Sequence, residues 1–317
     1  MAVQTPCLHN ATHADIAHQL DAGQFFWLDL EDPSPGHIER LGRQLGLHEI
    51  TLEDALHFGQ RPRYEDYPGY ASLVVCGVDP GTESGGPLLR EVHVIVSGNY
   101  VVTIHRRPFQ ALAELRARYA ELPARSEQFL IYKILDTITQ TFFPVLARVD
   151  DTIDEIEEQL LANPTPESLA RIVSVKRDLV AMRRVVTPLR DVFARNVERI
   201  SDLPGLEVDD HLFFRDLYDS VIHIGDLVDS YRDLASGATD LYLSTVANRQ
   251  GDISKQLAII ATIFLPLTFL TGFFGQNFAF LTGNVINHTW TFFVLGLGLL
   301  VASVIGFTIF FRTRKWI

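Results

Sequence analysis

Four aspartates, Asp219, Asp226, Asp233 and Asp240, recur every seven residues, with Asp216 one turn before the first. On a helix that spacing puts all four along one stripe. Carboxylate oxygens are hard ligands of the kind Mg²⁺ accepts. Facing inward around a symmetric bundle, the stripe would gather hydrated cations; facing outward, it is the solvated side of a coiled coil. A second polar set, Gly275-Gln276-Asn277, stands in FFGQNF between two long apolar runs. Its amide oxygens could bind the water shell of an ion without stripping it. The same three residues could equally serve only to stop a helix.

Other candidate ligands are weaker. His9 and His13 have i,i+4 spacing and His18 follows, which is a metal patch or simply a polar surface. Asp150, Asp151, Asp154, Glu155, Glu157 and Glu158 form a dense acidic run. Such a run is ordinarily a solvated face, and here it would also concentrate cations. Cys7 and Cys76 lie too far apart in sequence for a metal or disulfide spacing. No Ser/His/Asp, zinc-ligand or phosphate-cradling glycine pattern stands out, so neither an enzyme nor an organic cofactor is expected. The formal charge of −12 argues against a nucleic-acid partner.

The elements that must carry these residues are legible. Leu257 to Phe274 and Trp290 to Phe311 are uncharged and strongly apolar. About 20 helical residues cross a ~30 Å hydrocarbon layer, so two membrane spans are expected. Arg312, Arg314 and Lys315 follow the second span, forming a basic ring or tail, and Lys255 precedes the first. The positive-inside rule then puts both termini in the cytoplasm and Gln276 to Thr289 outside. No acid occurs after Asp252, and the N-terminus shows no signal core, so a large cytosolic part on an inner-membrane hairpin is expected.

Within that part, Gln24 to His37 begins as a strand and ends in a Pro/Gly turn, and Ile38 to Leu47 reads as a short helix. Tyr70 to Val78 and Val92 to His105 read as strands, the latter broken around Ser97-Gly98-Asn99. From about Glu127 the pattern turns helical, with one helix expected to Ala162 and a second from the NPTPES break to about Ile200. No proline lies between Pro204 and Pro266, so one helix is predicted from about His211 to Phe274, about 95 Å long. Phe214, Leu217, Val221, Ile224, Val228, Tyr231, Ala235, Ala238 and Tyr242 alternate three and four apart along it. That period predicts packing against partner helices.

The stretch from YDSVIHIGDLVD to LTGFFGQNF, with EDALHFGQRPRYEDYPGYASLVV upstream, resembles the CorA-type metal ion transporters from roughly Phe25 to Trp316. The resemblance implies a funnel-shaped homopentamer: an α/β cytosolic domain (1–125), a long helical region with a coiled-coil stalk (126–250), and a first transmembrane pore helix (251–275). An outer loop (276–289), a second transmembrane helix (290–311) and a basic cytosolic tail (312–317) complete it. The family's Gly-Met-Asn pore signature matches Gly275-Gln276-Asn277, which would form the selectivity filter. Stepping back from it, Gly272, Thr268, Leu265, Ala261, Ala258, Leu257, Ser254 and Gly251 form a small or weakly polar face. That face suits a pore wall or close helix packing.

The resemblance also implies passive uptake of Mg²⁺, Co²⁺ or Ni²⁺ gated by cytosolic Mg²⁺. The regulatory ion would bridge Asp216 to an acid of the neighbouring subunit, with Asp79 the best match and Glu83 an alternative. Three departures stand out. The loop FAFLTGNVINHT carries no carboxylate, Gly251-Asp252 replaces the family's Asn-Glu, and Gln276 replaces Met. The last leaves a Zn²⁺ transporter, possibly proton-coupled, as the alternative. A membrane-anchored scaffold is the reading from a different class.

Overall fold

The computed structural model describes residues 5–81, 86–119, 127–201, 211–276, 283–284 and 289–314. Contacts divide the chain into two units, Met1–Asp240 and Leu241–Ile317. The first is built on a six-stranded sheet of β1 (Cys7–His9), β2 (Phe26–Glu31), β3 (Arg63–Tyr67), β4 (Tyr70–Asp79), β5 (Leu88–Ser97) and β6 (Tyr100–His105). Their order is β1-β2-β6-β5-β4-β3. The β1–β2 and β2–β6 pairs are parallel and the others antiparallel.

Both faces of this sheet are covered, which is why its central strands are apolar almost without alternation. On one face Phe26, Leu28, Leu30, Ile95, Val102 and Ile104 pack with residues of α1 (His13–Ala22), α2 (Pro35–Leu45) and α3 (Glu49–Leu56). On the other, Trp27, Leu73, Val75, Val94 and Val101 share a core with α4 (Gln110–Arg118), α5 (Glu127–Gln140), α7 (Pro166–Ser201) and α8 (His211–Phe274). The short elements β1, α1, α3, β3 and α4 carry too little period to stand out in the sequence. Their boundaries are set by caps and pairing. Thr12, for example, closes a capping box with Asp15 at the start of α1.

The helix expected from Glu127 to Ala162 is instead two, α5 and α6 (Phe142–Ala162), broken at Thr141. Pro144 has no N–H to give to the Gln140 carbonyl, so the helical ladder cannot continue there. The break is used. Thr141 Oγ1 accepts from Val78 N at 2.9 Å and donates to the Ile138 carbonyl at 2.6 Å, tying the helix joint to β4. Gly77 permits that approach, because a Cβ there would lie 2.6 Å from the Phe109 ring and 2.9 Å from the Ile138 carbonyl. α7 starts as its sequence suggests, with Thr165 Oγ1 accepting from Ser168 N and Pro166 in the first turn.

The seven-residue repeat on α8 packs against helices, as its period predicts, and the helices it meets belong to this same chain. Phe214, Leu217, Val221, Ile224, Val228, Ala235 and Ala238 are all at most 1% exposed within this one chain. Phe214, Leu217 and Val221 belong to the core under the sheet, together with Leu189 and Phe193 of α7. Arg183 of α7 pairs with Asp229 at 2.9 Å, and the Phe143 ring of α6 lies 5.6 Å from His223. The same 3.5-residue period serves helices of one chain as well as helices of several, so the seam says nothing about subunit number.

The second unit contains the end of α8, then α9 (Thr289–Thr291), a π-helical stretch (Phe292–Gly298) and α10 (Leu299–Thr313). The second apolar run is therefore helical but changes its hydrogen-bond register midway.

Candidate functional site

The terminal part of α8 carries the residues expected to line a path. At about 100° per residue, Gly251, Ser254, Leu257, Ala258, Ala261, Leu265, Thr268 and Gly272 fall within roughly 120° of arc. All eight are exposed in the protomer. The polar groups on this helix are quiet: Thr268 Oγ1 donates to the Phe264 carbonyl at 2.9 Å and Thr271 Oγ1 to the Leu267 carbonyl at 2.9 Å. Pro266 leaves the Thr262 carbonyl without its helical donor.

Exposure here is apolar on every side. Leu257, Ile260, Phe264, Leu265 and Phe269 are each more than half exposed, as are Phe293, Val294, Val301 and Ile309 beyond the loop. So much contiguous apolar surface requires a bilayer, a partner or both. The segment Glu127–Ala162 is also long and apolar, but its most apolar stretch is 56% buried, as a core helix is, whereas that of Leu212–Phe274 is 6% buried.

At its C-terminal end, α8 stops at Phe274. Gly275 N donates to the Thr271 carbonyl at 2.9 Å and Gln276 N to the Phe273 carbonyl at 3.3 Å, so the last turn tightens. A Cβ at residue 275 would sit 2.9 Å from the Thr271 carbonyl oxygen, which is backbone and cannot swing away. A side chain is therefore resisted at this turn. Gln276 is exposed; Asn277 and Lys315 lie outside the described residues, as does Glu83.

Asp216 is exposed near the start of α8, where Tyr132 of α5 donates a hydrogen bond to it at 3.0 Å. Burial, helped by the Asp136 and Asp216 carboxylates, raises the Tyr132 phenol, which keeps it protonated as the donor. Asp79, at the end of β4, is bound to Arg90 at 2.5 Å, and Arg148 donates to the next carbonyl, that of Pro80, at 2.8 Å. A cation reaching Asp79 thus has to displace or accommodate a guanidinium. Neither Tyr132 nor Arg90 was marked by motif; both lie far from their partners or on another strand, and only the fold brings them in.

The stripe of Asp219, Asp226, Asp233 and Asp240 is exposed along its length. Among the described residues, no group of three His, Cys, Asp or Glu side chains is arranged to hold a metal. In the protomer the stripe is a solvated face. The acidic run on α6 is partly engaged: Tyr231 hydrogen-bonds Asp150, and Arg171 pairs with Glu155 at 3.0 Å. The histidines part company, His9 facing Asp29 at 3.5 Å and the His13 ring lying tilted against His37 with ring centroids 4.6 Å apart. Burial pushes the Cys7 and Cys76 thiols up to about 12, so neither is a thiolate ligand at neutral pH. Arg312 lies in the last turn of α10, and the Arg314 guanidinium lies 5.9 Å from the Phe310 ring.

A sheet domain, a 64-residue helix that ends in one apolar segment and a second apolar helical run after it define an integral membrane protein of the metal-transporter class. The chain belongs to the CorA-like Mg²⁺ transporter protein family, whose model matches residues 22–314. It is 33% identical over 285 residues to the cobalt/magnesium transport protein CorA of Thermotoga maritima, covering 88% of this chain and 80% of that one. It is 28% identical over 297 residues to the putative metal ion transporter YfjQ of Bacillus subtilis, covering 92% and 90%. The zinc transport protein ZntB of Yersinia enterocolitica is more distant, 24% identical over 300 residues, covering 93% and 89%. Among solved structures, the complete CorA magnesium transporter of Methanocaldococcus jannaschii matches with a TM-score of 0.79 at 25% identity, covering 92% and 91%.

Proposed function

We propose that this protein is a passive Mg²⁺ channel of the CorA type, with Co²⁺ and Ni²⁺ as further cargo. It works as an inner-membrane homopentamer with both termini in the cytoplasm. The observation that carries this reading is α8 itself. One unbroken helix bears the sensor candidate Asp216 at its start and ends in the tight Gly275 turn beside the two amides. Five copies would place the small face of Gly251 to Gly272 around an axis, and the exposed phenylalanines against lipid or neighbouring helices.

Mg²⁺ gives up water reluctantly and demands near-octahedral oxygen geometry. A ring of Asn277 side chains and nearby carbonyls would bind the hydrated ion at its water shell, so no dehydration barrier has to be crossed at the mouth. Leu257 and Leu265 would form rings narrow and apolar enough to close by dewetting. With no carboxylate in the outer loop, capture rests on oriented amides and carbonyls. On the cytosolic side, Mg²⁺ shared between Asp216 and Asp79 of adjacent subunits would hold the ring closed, and its loss would leave repelling acids. Arg90 supplies the competing charge that sets how much Mg²⁺ this needs.

The test is ion flux into proteoliposomes with Mg²⁺, Co²⁺, Ni²⁺ and Zn²⁺, with and without a pH gradient. Mg²⁺ flux that needs no proton gradient and disappears in Asn277→Ala is the expected result. Gln276 in place of the family Met favours a second reading, Zn²⁺ transport as in the ZntB relatives. Proton-dependent Zn²⁺ flux without Mg²⁺ flux would establish that one instead.

A further inference from the structure

We infer that the cytosolic unit holds a binding site for a small polyphosphate anion, such as a triphosphate chain, in a pocket built by four arginines. The pocket, about 480 Å³, lies wholly within the first unit. Arg61 from the irregular segment before β3, Arg183 and Arg184 of α7, and Arg232 of α8 line it, with Val180 and Pro188. No acidic residue is among its lining residues. In a chain of net charge −12, four guanidinium groups converging on one concavity are not explained by general surface charge.

The site is held in shape. Asp229 Oδ1 lies 2.9 Å from Arg183 Nε and 3.3 Å from Arg232 Nη1, so one carboxylate positions two of the four arginines. Asp233 Oδ1 lies 3.3 Å from the other Arg232 nitrogen, so two carboxylates stand against four guanidinium groups and the pocket remains cationic. Pro188, inside α7, cannot donate to the Arg184 carbonyl, which removes one helical hydrogen bond at the pocket wall. α7 as a whole carries eight Lys/Arg against four Asp/Glu, whereas α6 carries one Arg against six acids, so the basic character is directed to one helix.

Guanidinium is the side chain suited to phosphate, because its planar fork gives paired N–H donors to two oxygens of one group. Four of them match a chain of linked phosphates better than a single phosphate. The volume falls within the usual range for small-molecule sites, about 300–1,000 Å³. This site does not depend on the ion-channel reading; a polyphosphate would bind it whatever ion the membrane part carries. Because such anions also chelate Mg²⁺, free Mg²⁺ has to be held constant when the site is examined.

The experiment uses the full chain in detergent and titrates sodium tripolyphosphate, ATP and dihexanoylphosphatidic acid by calorimetry at fixed free Mg²⁺. Tripolyphosphate and ATP are expected to bind saturably, and more weakly as salt is raised. Arg61→Ala with Arg184→Ala removes the two exposed arginines that Asp229 does not hold. That pair should weaken binding at least about tenfold while Tm without anion stays unchanged. Arg190→Ala with Arg195→Ala deletes the same charge outside the pocket and should leave affinity within about twofold. Absence of saturable tripolyphosphate binding, tighter binding of the lipid than of tripolyphosphate, or equal weakening by both double variants would each overturn the site. So would loss of oligomer in Arg61→Ala with Arg184→Ala, which would make the pocket a subunit contact.

Discussion

Replacing Asp29 by Asn tests how the sheet domain is held together. Asp29, in β2, has no exposed side-chain surface, yet it is surrounded by donors. Thr103 Oγ1 lies 2.6 Å away, His105 Nε2 3.2 Å and His9 Nδ1 3.5 Å, and Arg116 of α4 closes the set. Trp27 Nε1 in turn donates to Thr103 at 3.0 Å. Asp29→Asn keeps the shape but leaves the 23%-exposed Arg116 and the buried His105 without their counter-charge. Breaking a buried pair from one side costs about 3–5 kcal/mol; Asn retains one acceptor, so about 3 kcal/mol is expected. For a unit of this size that is a fall in Tm of roughly 6–12 °C.

The pH dependence has a definite sign. Burial opposes the charge on Asp29, but the hydrogen bonds of His105 and Thr103 outweigh it and lower its carboxyl. Its contribution is thus present above the ordinary Asp value and is lost as pH falls through the lowered one. Burial opposes charge on His105 too, and the Asp29 hydrogen bond outweighs it and raises the imidazole. That contribution is complete below about pH 6.5 and fades as pH rises through the raised value. The gap between parent and variant should be widest from about pH 4 to 6.5 and narrow on either side, more steeply in acid. Thermal unfolding of the detergent-solubilised chain, followed by Trp fluorescence across that range, measures it. A Tm gap under about 2 °C at pH 6, or one that ignores pH, would refute the charged-network account.

Two further outcomes follow from α8. Leu217→Ala should destabilise the protomer itself by about 2–5 kcal/mol in denaturant unfolding, because Leu217 is fully buried under the sheet; unchanged unfolding with loss of oligomer would return the seam to the subunit interface. Asp216→Ala should abolish Mg²⁺-dependent protection from proteolysis, whereas Tyr132→Phe should shift its Mg²⁺ midpoint by less than about tenfold, since only an orienting donor is lost. Full protection in Asp216→Ala would remove it as a sensor.

Much of the architecture was legible because it rests on local rules. The helical run from His211 up to Pro266 follows from the missing prolines, though the helix carries on through Pro266 to Phe274, and the two apolar segments follow from length and lack of charge. The start of α7 follows from residues whose backbone preferences are strong, whereas Pro35-Gly36, expected as a turn, open α2, because proline's fixed φ also suits the first helical position. The break at Thr141 was legible in principle, at Pro144, but was masked by continuous apolar periodicity on both sides. The short elements β1, α3 and β3 gain their stability from neighbours, so no local signal marks them.

The sequence by itself determined the two apolar segments, the long helix, the position of Gly275-Gln276-Asn277 between those segments and, through resemblance, the family. Charge, length and backbone preference are read from consecutive residues, so these features need no partner to be seen. Tertiary structure decided which partners the polar groups find. It turned the heptad seam inward onto α6 and α7, gave Asp216 to Tyr132 and Asp79 to Arg90, and gathered Arg61, Arg183, Arg184 and Arg232 around one pocket. Each of these joins residues from separate elements. A repeat or a charge in the chain fixes which face it occupies, and only packing fixes what that face meets.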